Sequence, residues 1–111
     1  MLDDATRYKL LSLLEQRPGL SQRELAKAAG VSLGKVNFCI NALVELGWVK
    51  IRNFQNSERK RAYLYKLTPQ GLAEKGRVTL HFLERKMREH EEIAREISQL
   101  KREVARGRDA R

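Results

Sequence analysis

Two serine-led amphipathic stretches follow one another with almost nothing between them: "SQRELAKAAG" at residues 21–30 and "SLGKVNFCINALVELG" at residues 32–47. Ser21 with Glu24 three residues later forms a capping box, in which each side chain satisfies an orphan backbone donor at a helix start. Leu25, Ala26 and Ala29 give that helix an inner side, and Gly30 is suited to the left-handed conformation that ends it. Ser32 is already placed to cap another helix. The next helix runs from Leu33 to about Leu46, with Val36, Cys39, Ile40, Leu43 and Val44 recurring at the spacing of one buried face. Two helices so joined read as a helix-turn-helix.

The flanking sequence completes an architecture. Asp3 or Asp4 can cap a first helix whose apolar side is Tyr8, Leu10, Leu11, Leu13 and Leu14, and "RPG" at 17–19 breaks it. Gly47 ends the third helix. "WVKIRNF" then reads as a strand, with Trp48, Val49 or Ile51, and Phe54 as candidates for burial. "QNSERKR" reads as a turn and "AYLYKL" as a second strand, together a hairpin. Thr68 caps a last helix with Pro69 at its first position, and that helix runs from Gln70 to about Val104, ~50 Å. The expected fold is mainly α with a small β-hairpin: a winged helix-turn-helix followed by a long C-terminal helix that forms a coiled coil. The expected division is a DNA-binding domain at 1–69, a dimerisation helix at 70–105 and a frayed basic tail at 106–111.

Charge selects the partner. The chain of 111 residues has a net charge of +9, which points to a polyanion. Between Ser32 and Pro69 lie seven lysines or arginines against two acids, so the excess sits on the helix-turn-helix and wing. The major groove admits a helix whose first turns bring side chains to base edges and phosphates. On the helix at 33–46, Ser32 can cap or bond a phosphate, Gly34 permits close backbone approach, and Lys35 supplies charge at the rim. Asn37 and Asn41, one turn apart, are the candidates for direct readout, because an amide bonds adenine through a donor and an acceptor together. Phe38, if exposed, can touch thymine methyl groups; if buried, it is core. In the wing at 52–63, Arg52, Arg59, Lys60 and Arg61 are placed for the backbone or the minor groove.

The last helix carries a second pattern. Leu83, His90, Ile97 and Val104 repeat at seven-residue spacing, flanked by Met87, Ile93 and Leu100. An isolated helix has no use for an apolar stripe, so a homodimer through this helix is expected. Two recognition helices related by a two-fold axis would then read inverted half-sites about one turn of duplex DNA apart, ~34 Å, or a multiple of that. His90 in the seam reads as a packed polar residue.

Several classes are excluded. No apolar run approaches the ~20 residues of a membrane span and the N-terminus lacks the apolar core of a signal peptide, so a soluble, cytoplasmic protein without membrane contact is expected. Cys39, the single cysteine, allows neither an internal disulfide nor a zinc ribbon. It falls on the inward side of its helix, where a thiol behaves as a small hydrophobe. His81 and His90 converge on no carboxylates, so neither a metal site nor any cofactor is expected. No phosphate loop, nucleophile elbow or paired nucleophile and base indicates an enzyme. The remaining rival is a winged-helix protein-interaction module whose long helix recruits another protein.

"LSQRELAKAAGVSLGKVNFCINALVELGWV" resembles the DNA-binding core of MarR-type regulators, and "YLYKLTPQG" resembles their second wing strand and the "LTxxG" start of the next helix. "SLGKVNFCINALVELGWV" and the early "LTPQG" in so short a chain resemble the subgroup of that family associated with exopolysaccharide (EPS) gene clusters. The resemblance covers about residues 6–105 and implies a transcriptional regulator of double-stranded DNA. The larger MarR proteins carry further helices at both ends that form a dimer domain with a ligand cleft. Here one long helix follows the wing, so no small-molecule effector pocket is expected.

Overall fold

The computed structural model describes residues 3–54 and 62–109, with side chains throughout except at 53, 54 and 62–64. The order is α1 (Asp4–Gln16), α2 (Gln22–Ala29), α3 (Leu33–Glu45), β1 (Val49–Phe54), β2 (Ala62–Leu67) and α4 (Pro69–Asp109). This is the expected winged helix-turn-helix with a long C-terminal helix.

Each helix starts and stops for a local reason. Asp3 accepts from the Thr6 backbone N–H at 2.6 Å to cap α1, and both arms of the Ser21/Glu24 capping box are formed. Ser32 caps α3 by accepting from the Lys35 N–H at 3.1 Å. Gly30 ends α2 at φ 70°, with the Val31 N–H donating back to the Ala26 carbonyl. Gly47, at φ 80°, does the same for α3: its N–H reaches the Val44 carbonyl and the Trp48 N–H reaches that of Leu43. This doubly bonded reversal lets a helix turn at once into a strand.

Leu10, Leu11 and Leu14 of α1, Leu25, Ala26 and Ala29 of α2, and Val36, Cys39, Ile40 and Leu43 of α3 form one core. The hairpin adds Val49 and Tyr65, and α4 adds Val78. β1 and β2 pair antiparallel with Val49 opposite Leu67 and Ile51 opposite Tyr65. The choice between Val49 and Ile51 is thereby made: Val49 is buried and Ile51 exposed. At the base of the hairpin the Arg7 guanidinium lies 5.7 Å from the centre of the Trp48 ring.

α4 joins this body through its first turns. Thr68 donates its hydroxyl to the Gly47 carbonyl at 2.6 Å and accepts from the Gly71 N–H at 3.0 Å, while its own N–H bonds the Trp48 carbonyl at 3.0 Å. One threonine thus ties the end of α3, the start of β1 and the start of α4. α4 then runs antiparallel to α1, with Lys75 bonded to Glu15 at 2.7 Å, Arg85 bonded to Asp4 at 3.0 Å, and the Tyr8 and Phe82 rings 5.2 Å apart.

Beyond that contact the helix continues alone. Residues 91–109 are exposed throughout, and the molecule measures 74 × 28 × 23 Å. α4 does not end near Val104 as the apolar repeat suggests, and residues 106–109 of the expected frayed tail are helical. Arg106 and Arg108 in the last turn complement the negative end of the helix dipole.

Candidate nucleic-acid interface

α3 has two faces of different character. Val36, Cys39, Ile40 and Leu43 are at most 1% exposed, while Ser32, Gly34, Asn37, Phe38 and Asn41 all lie on the open side. Phe38 is 56% exposed, which removes it from the core and leaves an aromatic ring on the same open side as the two amides. A methyl placed on Gly34 would meet nothing within 4 Å, so the first turn offers an unobstructed backbone. Cys39 sits inward as its helical position requires, and burial pushes its thiol pKa up, away from thiolate reactivity.

The two asparagines do not hang free. Asn41 Nδ2 donates to Asn37 Oδ1 at 3.3 Å, and Asn37 Nδ2 donates to Gln22 Oε1, on the first residue of α2, at 3.1 Å. Gln22 Nε2 in turn donates to the Tyr65 hydroxyl, on β2, at 3.2 Å. Gln22 and Tyr65 are absent from any reading of the sequence as site residues. No local signal marks them, since the two stand 43 positions apart.

Lys35 is half-exposed and bound. Its ammonium lies 3.0 Å from Asp3 Oδ2, so the rim charge expected for phosphate is held by the residue that caps α1. The backbone N–H of Thr6, and after it the Lys35 ammonium, hold the Asp3 carboxyl well below the usual carboxylate range. A depressed pKa stabilises the fold fully above the ordinary value of about 4, and that contribution is lost as the pH falls below it. Asp3→Ala is therefore expected to cost about 1 kcal/mol at pH 7 through loss of the cap. Urea unfolding at successive pH values should show the gap from wild type narrowing below pH 4; a gap that persists unchanged to pH 3 would contradict this account.

In the wing, Arg52 is exposed on β1, as are Lys50 and, on β2, Lys66. Arg59, Lys60 and Arg61 lie outside the described residues. On α4, Leu83, Met87, Ile93, Ile97, Leu100 and Val104 are each between 46% and 58% exposed, and His90 is exposed with them. None of these belongs to the core. Among the described residues no helix is long and apolar enough to cross a membrane.

Residues 3–50 match the winged helix-turn-helix DNA-binding family. Escherichia coli MarR in its apo form shares 31% identity over 67% of this chain and 53% of its own, with a TM-score of 0.56. A Mycobacterium tuberculosis MarR family protein, solved with p-aminosalicylic acid, shares 25% identity over 86% of this chain and 77% of its own, with a TM-score of 0.59. The PcaV transcriptional regulator of Streptomyces coelicolor, solved with its natural ligand, has the same TM-score at 23% identity, over 70% of this chain and 54% of its own. The chain thus spans little more than half the length of some of these relatives. No curated protein matches it. Residues 3–50 therefore form a winged helix-turn-helix domain of the DNA-binding type, and the chain carries the fold of the MarR-family regulators.

Proposed function

We propose that this protein is a dimeric MarR-type transcriptional regulator that binds double-stranded DNA in the cytoplasm, with α3 in the major groove and the wing on the backbone or minor groove. The observation that carries the reading is the outer face of α3. Gly34, Asn37, Phe38 and Asn41 are exposed together over its first turns, on a helix whose other face is locked in the core. Amides at that position suit adenine and an exposed phenyl ring suits a thymine methyl group. The narrower assignment, to the exopolysaccharide-associated subgroup and its gene clusters, rests on the "SLGKVNFCINALVELGWV" and "LTPQG" segments. Among the described residues α4 alone follows the wing, and this reading assigns no small-molecule effector.

A second copy is the natural cover for the free part of α4. With Leu83, His90, Ile97 and Val104 as one row of the seam, Ile93 and Leu100 form the other, and Glu89, Glu96 and Glu103 flank one side. In a parallel pair Glu96 and Glu103 of one copy face Lys101 and Arg108 of the other, whereas an antiparallel pair sets glutamates against glutamates. The charges favour the parallel arrangement, which places both reading heads at the same end of the coil.

Binding measurements divide the roles. Asn37→Ala or Asn41→Ala should reduce discrimination between preferred and random duplexes, by roughly 1–3 kcal/mol at the base each reads. Arg59→Ala with Arg61→Ala should weaken binding to all duplexes alike and lower the slope of log K against log salt by about 2. Binding to the preferred duplex that survives both sets unchanged would show the reading surfaces to be misassigned. A protein-interaction module would instead bind preferred and random duplexes equally poorly.

A further inference from the structure

The bond chain from β2 to α3 ends at the amides proposed to read DNA, and it begins at a buried group. Tyr65 is only 5% exposed, with its ring in the core, so its hydroxyl is a fixed point. From it the bonds pass outward through Gln22 to Asn37 and then to Asn41. Three elements are crossed: the wing strand, the first turn of α2, and α3.

The chemistry of the amides gives this chain a consequence. A carboxamide offers two N–H donors and an oxygen with two acceptor positions. Among the described residues Asn37 spends one donor on Gln22 and one acceptor position on Asn41, which leaves one of each for a base. Among the same described residues Asn41 spends one donor only. A bidentate contact to adenine requires oxygen and nitrogen on defined sides of a fixed plane, and a freely rotating asparagine must lose that freedom on binding. The internal bonds hold both planes before DNA arrives.

We infer that Gln22 and Tyr65 are positioning residues for base readout, orienting Asn37 and Asn41 from behind, with the hydroxyl of the buried Tyr65 as the anchor. This rests on the proposed reading of DNA by α3. It also links the wing to that reading, because the anchor belongs to a wing strand.

Tyr65→Phe is the decisive variant. It removes the hydroxyl and keeps the ring in the core. Affinities would be measured for a preferred duplex, for versions carrying single A·T to G·C changes, and for a random duplex, each over a range of salt. Tyr65→Phe should lower discrimination among these duplexes about tenfold, on the scale of one good base contact, with random-duplex affinity and salt slope unchanged. Gln22→Leu should do the same. In an Asn37→Ala background, where the chain is already cut, Tyr65→Phe should change discrimination less than about twofold, the non-additivity expected of residues acting through one another. Unchanged discrimination in Tyr65→Phe, or an equal effect in both backgrounds, would overturn the inference while leaving DNA reading by α3 intact. Wild-type protein that fails to discriminate would overturn both.

Discussion

Gly71→Ala is expected to lower the melting temperature by roughly 15 °C. The first turn of α4 crosses the backbone of Trp48 so closely that a Cβ at residue 71 would overlap the Trp48 carbonyl oxygen and lie 2.9 Å from its carbon. Neither atom is the end of a flexible side chain, so the helix itself must move. That movement pulls on the Thr68 bonds to Gly47 and Trp48, which join α3, β1 and α4. Overpacking of this kind costs about 1–3 kcal/mol or somewhat more, and each kcal/mol shifts the midpoint of a domain this size by about 4–8 °C. Gly76, farther along the same helix, supplies the control: a methyl there meets nothing within 4 Å. Gly76→Ala should leave stability unchanged or raise it by up to about 1 kcal/mol through reduced chain entropy. Thermal unfolding followed by circular dichroism compares the two, and a shift below 2 °C for Gly71→Ala would contradict the packing.

Ile97→Glu combined with Val104→Glu is expected to abolish the dimer. Both residues lie on the part of α4 that is exposed throughout among the described residues, so the winged domain should retain its melting transition. In the proposed dimer they face their counterparts, and the variant removes four apolar side chains while bringing like charges together. Burial of each is worth about 1.5–3 kcal/mol when complete, so the dimer dissociation constant should rise at least 100-fold. Binding to an inverted repeat should fall toward the affinity of a single half-site. Sedimentation at matched concentrations checks the assembly, and a variant that sediments as the wild type does would place the dimer contact elsewhere.

The same contrast between near and distant neighbours explains what the sequence discloses. The caps at Ser21 and Ser32 and the reversals at Gly30 and Gly47 depend on residues within one turn, and all four are legible. The inner face of α3 is legible for a related reason, because Val36, Cys39, Ile40 and Leu43 repeat at the helical period. Phe38 follows the same period: it falls on the side of the helix away from that stripe, and it is 56% exposed. Gly71 is visible as part of "LTPQG", but its need for a bare Cα comes from the Trp48 backbone, 23 positions earlier.

The site is legible in the same partial way. Asn37 and Asn41 reveal themselves by spacing, but their supports, Gln22 and Tyr65, come from other elements and carry no pattern of their own. Lys35 is legible as a charge and not as the partner of Asp3, 32 positions away. The apolar repeat of α4 runs through Val104, whereas the helix continues to Asp109, with Arg106 and Arg108 in its last turn.

In the proposed function this chain reads duplex DNA as a two-fold pair of α3 helices. Selection of bound sequences from a random duplex pool, at stated salt, tests it most directly. An inverted repeat with adenine or thymine in each half-site should be enriched, the half-sites centred about one DNA turn apart or a multiple of it. A pool that shows no enrichment over its starting composition would contradict it.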